Sequence, residues 1–115
     1  MPRDFRQLLE DILEAIRKAR HLYALVKSKE GFQEEEMAYD AIIRNLEIVG
    51  EAVKNIPESV LKKYPPIDWK GFTGLRDILI HRYFGLTQNI IWDIIENELP
   101  VLEEQVKQIL KDFES

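Results

Sequence analysis

The stretch DFRQLLEDILEAIRKARHLYALVK, residues 4 to 27, decides the fold class. At about 100° per residue, Phe5, Leu9, Ile12, Ile16, Ala19 and Tyr23 fall on one face of a helical wheel. Glu10, Glu14, Arg17 and His21 fall on the opposite one. A period near 3.6 held over about five turns is that of an amphipathic α-helix with one side toward a core. His21, opposite the apolar stripe, reads as a surface residue.

The same period recurs on both sides of later breaks. Gly31 separates the first helix from a second, expected from about Gln33 to Asn55, with Ala38, Ala41, Ile42, Val49, Ala52 and Ile56 on its apolar face. Pro57 and the pair Pro65-Pro66 bracket a short element, Glu58 to Tyr64, of one or two helical turns. Asp68 suits an N-cap for a third long helix from Trp69, because its carboxylate can accept from free first-turn amides. That helix should end near Tyr83-Phe84, with Gly85 as its cap residue. Thr87 then caps a fourth to about Phe113, with Ile91, Ile95, Leu99, Leu102, Val106, Ile109 and Phe113 spaced for burial. Pro100 lies inside it and should kink it. With no β-hairpin signal and no repeat, residues 1–115 read as a single all-α domain, a four-helix bundle with a short extra helix.

Composition narrows the function. The 115-residue chain is 45% apolar and 32% charged, which suits one folded domain with a modest core and a well-solvated exterior. A formal net charge of −5 argues against a broad electrostatic grip on nucleic acid, so any RNA contact must be local. The absence of cysteine excludes disulfides and thiolate metal sites. No apolar run is long enough to span a bilayer and Met1 to Asp4 shows no signal pattern, so the expected location is the cytoplasm.

Chemistry concentrates in Arg76-Asp77-Ile78-Leu79-Ile80-His81-Arg82-Tyr83. A guanidinium fork binds phosphate, an imidazole moves a proton near neutral pH, and a phenol can donate, accept or be modified. On an unbroken helix Arg76 and Tyr83 align to within about 20°, while His81 points away from Arg76, one turn above Asp77. Asp77 can hydrogen-bond His81 and raise its basicity. One rigid helix therefore does not bring Arg76 and His81 together. Either the helix distorts near its end, or two copies of the chain complete the site across a two-fold interface, which needs no strain. Asp77 is the only acid in the motif, so no carboxylate cluster presents a metal ion there, and no cofactor is expected.

Each residue also has a plainer role open to it. Arg76 could pair with Glu47 or Glu51, His81 could complement a helix C-terminus, and Tyr83 could be a core aromatic. On the second helix Arg44, Glu47 and Glu51 form a charged stripe that reads as a solvated ion-pair ladder. Asn45 falls within the apolar face, where its amide must find a partner, either a backbone group or a motif side chain.

Taken together, these blocks resemble the HepT-like toxin family of the HEPN superfamily. The resemblance runs through Arg44-Asn45-Leu46-Glu47-Ile48-Val49-Gly50-Glu51-Ala52, Pro66 to Trp69, Gly74 to Phe84, Ile91-Trp92-Asp93-Ile94-Ile95 and Leu99-Pro100, in this order and over most of the chain. It implies a helical ribonuclease toxin that forms a symmetric homodimer. Arg76, His81 and Tyr83 would then be the catalytic residues, in a cleft on the two-fold axis. It further implies an MNT-type nucleotidyltransferase antitoxin that neutralises the toxin by transferring AMP to Tyr83. Asp77 stands where many relatives have Asn, which adds negative charge beside the site. That charge and the acidic balance also suit a second reading, a helical binding subunit of a nucleotidyltransferase complex with little nuclease activity of its own.

Overall fold

The computed structural model describes residues 3–27, 32–64, 69–82 and 88–114 of the chain. Among these residues every regular element is helical: α1 (Arg3–Lys27), α2 (Phe32–Lys54), α3 (Glu58–Leu61), α4 (Trp69–Arg82), α5 (Gln88–Asp93) and α6 (Leu99–Glu114). A π-helical turn, Ile94–Glu98, joins the last two into one continuous helical run. The all-α bundle with a short extra helix is thus the observed architecture. No described helix is long and apolar enough to cross a membrane.

α2 occupies a central place in the packing. It lies along α1 on one side and along α4 on the other, while α1 also packs on α6. Its buried residues follow from that double contact. Ile42, Ile43, Leu46, Val49, Ala52 and Val53 are all buried and sweep an arc of about 180° around the helix, and Ile56, just past its end, is buried too. The sequence reading expected a narrower face and passed over Ile43, Leu46 and Val53; these extend the face far enough to meet two neighbours. On α1, the buried set is Leu9, Ile12, Ala15, Ile16, Ala19 and Val26, with Phe5 and Tyr23 half-buried at its margins.

The last helix follows its expected stripe with one exception. Ile91, Ile95, Leu99, Leu102, Val106 and Ile109 are buried, whereas Phe113 is 37% exposed. Its ring meets Phe5 edge-on with centroids 5.3 Å apart, a contact that covers only part of it. The disturbance expected at Pro100 takes the form of the π turn. Proline has no N–H for the carbonyl of Glu96 and its ring crowds that oxygen. The helix widens just before it, and the Leu99 amide donates to Ile94, five residues back. The phenol of Tyr23 donates to Glu96 on this turn, and Trp92 lies between the rings of Tyr23 and Tyr39 at 4.9 and 5.8 Å.

The short element is tighter than expected, with α3 ending at Leu61 and successive turn hydrogen bonds, Lys63 N–H to Val60 O and Tyr64 N–H to Leu61 O, carrying the chain to Tyr64. The caps assigned to Asp68, Gly85 and Thr87 lie outside the described residues.

Asn45 finds the backbone partner that burial demands. Its Nδ2 donates to the carbonyl of Ala41 at 2.9 Å, one turn back on the same helix. That oxygen already takes the helical bond from the Asn45 amide, so the side chain shares an acceptor that is already satisfied. The half-buried amide is thus tolerated without holding α2 to another helix.

Two outcomes follow from this packing. Leu46, wholly buried on α2, should cost about 2–5 kcal/mol when replaced in Leu46→Ala, because a cavity opens in the core. Asn45→Ala should change stability by less than about 1 kcal/mol, since the better helix propensity of alanine offsets the shared bond. Urea unfolding of both variants checks these values; equal losses would contradict the assignment.

Candidate functional site

Of the residues singled out for chemistry, Arg44, Asn45, Glu47 and Glu51 sit on α2 and positions 76, 77 and 81 on α4, two helices that pack together. On α4, Trp69, Phe72, Leu75 and Leu79 are buried at spacings of three, three and four, which is the stripe laid against α2. Positions 76, 77 and 81 belong to the same α-helix, which runs without a break through Arg82. The side chains of Arg76, Asp77 and His81, and Tyr83 as a whole, lie outside the described residues.

The backbone nevertheless decides one point. Of the two ways to bring Arg76 and His81 together, distortion of the helix is not seen through Arg82, since α4 contains neither a 3₁₀ nor a π turn. With α-helical geometry kept, positions 76 and 81 stand about 140° apart around the axis.

The charged stripe of α2 opens onto a groove against α1. It encloses about 460 Å³ and is lined by Leu8, Asp11, Arg44, Glu47, Ile48, Glu51, Ala52 and Asn55. Arg44 Nη1 lies 3.5 Å from Glu47 Oε2, and the arginine side chain is 71% exposed, so this pair is worth a few tenths of a kcal/mol at most, roughly. The ladder reading holds for these two residues. Asn55 Nδ2 donates to the Glu51 carbonyl at 3.0 Å, a second side-chain bond back onto α2.

Asp11, Glu47 and Glu51 give the groove three carboxylates against one guanidinium, which disfavours an RNA phosphate there. Its apolar floor is Leu8, Ile48 and Ala52. The supporting residues Arg44, Glu47 and Glu51 are therefore brought together, with Asn45 elsewhere on α2. The sequence reading missed Asp11 as a member; on α1 it is an ordinary polar-face acid, and only the α1–α2 pairing brings it to the groove. Among the described residues no cluster of His, Asp and Glu is arranged to hold a metal ion.

Comparison with known proteins places this arrangement. The family described as ribonuclease HepT-like matches residues 12–109, which includes α2, α4 and most of α6. The chain is 44% identical to "Putative RNase MJ0127" of Methanocaldococcus jannaschii, over 99% of this chain and 94% of that protein. It is 44% identical to "Putative RNase TTE0752" of Caldanaerobacter subterraneus subsp. tengcongensis, over 92% of this chain and 94% of the relative. With "Probable ribonuclease HepT" of Thermococcus cleftensis it shares 35% identity, over 96% of this chain and the full length of the relative. No solved structure gave a significant match. The helical architecture, the match across nearly the whole bundle and these full-length relatives agree: the chain belongs to the HepT-like ribonuclease family of the HEPN superfamily.

Proposed function

We propose that this chain is a metal-independent endoribonuclease toxin whose active cleft is built from two copies of α4. The observation that carries the two-copy reading is the unbroken α-helix from Trp69 to Arg82, whose register keeps positions 76 and 81 apart. Family membership supports ribonuclease chemistry, and a two-fold axis supplies the missing convergence: Arg76 of one copy meets His81 of the other.

In that cleft His81 takes the proton of a ribose 2′-hydroxyl, whose oxygen attacks the adjacent phosphorus. The second copy's His81, or a water, gives a proton to the departing 5′-oxygen. Arg76 binds the scissile phosphate and stabilises the additional negative charge of the transition state. Tyr83 donates to a phosphate oxygen. The P–O5′ bond breaks, leaving a 2′,3′-cyclic phosphate and a 5′-hydroxyl, and the net proton count is unchanged. Asp77, one turn before His81, orients the imidazole and favours its protonated form. With a net charge of −5 on the chain, RNA is held locally at this cleft and not along an extended basic face.

The same site accounts for neutralisation. An MNT-type nucleotidyltransferase antitoxin transfers AMP from ATP to the Tyr83 phenol, with release of pyrophosphate. The product places a phosphodiester anion and an adenine where the RNA phosphate belongs, so the modification competes with substrate as well as blocking it.

Purified chain should cut RNA with undiminished rate in excess chelator, and His81→Ala and Arg76→Ala should each lose at least about 100-fold in rate. A substrate with a 2′-deoxy sugar at the scissile position should stay intact. Cleavage of that deoxy bond would remove the 2′-hydroxyl mechanism. Growth arrest that persists in His81→Ala would favour the binding-subunit reading instead.

A further inference from the structure

The motif helix is fastened at its first residue to the opposite end of the chain. The indole N–H of Trp69 donates to the carbonyl oxygen of Tyr64 at 2.9 Å. The phenol of Tyr64 donates in turn to Asp112 Oδ2 on α6 at 2.5 Å. The other carboxylate oxygen of Asp112 accepts from Gln108 Nε2 at 2.7 Å, one turn earlier on the same helix. Two links thus connect α6 to the start of α4, with Tyr64 as the shared member. The α4 end is buried, Trp69 being only 7% exposed, and the middle member is set by the turn hydrogen bond of the Tyr64 N–H to Leu61, while the α6 end, Asp112, lies at the surface.

This strap supplies a restraint that side-to-side packing does not. The stripe of α4 lies against α2, and interdigitated apolar ridges resist separation strongly. They resist sliding along the axis less, because the next set of grooves is similar. The path from Trp69 through Tyr64 to α6 opposes that slide. An α-helix is stiff along its axis, so a shift at Trp69 is carried to position 81, about 18 Å away, with little loss.

We infer that Tyr64 is a positioning residue for the reaction, setting the axial placement of α4 and so the distance between the reactive groups of two copies. The inference rests on the ribonuclease reading of α4 given above. A two-fold cleft makes it sensitive, because a slide of α4 in one copy is repeated in the other.

The groups involved hold their protonation states. Burial, and then the bond to Asp112, push the Tyr64 phenol up to about 12, while the bond from Tyr64, and then that from Gln108, keep the Asp112 carboxyl below its ordinary value. Donor and acceptor therefore stay matched throughout the neutral range, as a fixed strut requires.

The test compares Tyr64→Phe with Tyr23→Phe in RNA-cleavage kinetics and thermal unfolding of the full chain. Tyr23→Phe removes a similar phenol-to-carboxylate bond, that to Glu96, which touches neither end of α4. Tyr64→Phe should lower kcat about tenfold with KM within about twofold, because misplacement affects the reacting geometry more than binding. Tyr23→Phe should keep the wild-type kcat at an equal or greater loss of Tm. Asp112→Asn, which retains an oxygen acceptor, should hold near wild-type kcat, and Asp112→Ala should match Tyr64→Phe. The Trp69 indole N–H resonance should also move in Tyr64→Phe. Wild-type kcat in Tyr64→Phe, or an equal fall in Tyr23→Phe, overturns the inference while the ribonuclease reading stands. A wild-type chain that cuts no RNA overturns both.

Discussion

The bundle depends on α2 having to bury apolar surface on two sides at once. Its arc from Ala52 round to Ile43 is too wide for one neighbour, so α1 covers one flank and α4 the other. Each fully buried Leu, Ile or Val contributes about 1.5–3 kcal/mol relative to exposure. The surface ion pairs contribute far less: Arg17–Glu14 and Arg44–Glu47 are well exposed and worth only about 0–1 kcal/mol each. The core therefore decides the arrangement, and the charged exterior adjusts it. Because α4 is one of the two elements that α2 recruits, the constraint that makes the fold also fixes the face on which the reactive helix is carried.

That constraint explains which parts of the molecule can be read from the chain. α1 and the final helix each bury one stripe, and their helical period locates Leu9, Ile12 and Ile16, and Leu99, Leu102 and Val106, with no further information. α2 is harder, since a wheel read for one face finds Ile42 and Val49 and passes over Ile43, Leu46 and Val53. Phe113 carries the right period and still ends 37% exposed, because periodicity does not register how much of a side chain its neighbours cover. Pro100 announces a disturbance by its chemistry, but the choice of a π turn over another distortion is made by the packing of Ile94, Ile95 and Leu99 on either side.

The site divides in the same way. Arg44, Glu47 and Glu51 share a stripe by spacing alone, and the structure gathers all three at one groove. Asp11 joins them through contact between helices, and Tyr64 meets Asp112 across 48 residues of sequence, so neither partnership leaves a local signal. The amide of Asn45 had to find a partner, and it finds the nearest one, a carbonyl on its own helix. The wheel relation of positions 76 and 81 needs only an unbroken helix, and the α-helical run to Arg82 preserves it.

A helix that keeps its reactive positions apart is an obstacle in a single copy and an advantage in a pair. In the proposed dimer each copy offers a phosphate-binding group on one side and a proton-transfer group on another, and the two-fold axis would join unlike halves without straining either backbone. The acidic groove on the α1–α2 face disfavours phosphate there, in keeping with the proposed RNA cleft at α4. The most direct measurement is cleavage by mixed dimers formed from an Arg76→Ala chain and a His81→Ala chain, each inactive alone. The mixed dimer retains one intact Arg76–His81 pair and should recover about half of the wild-type rate. Mixed dimers as inactive as their parents would contradict the shared cleft.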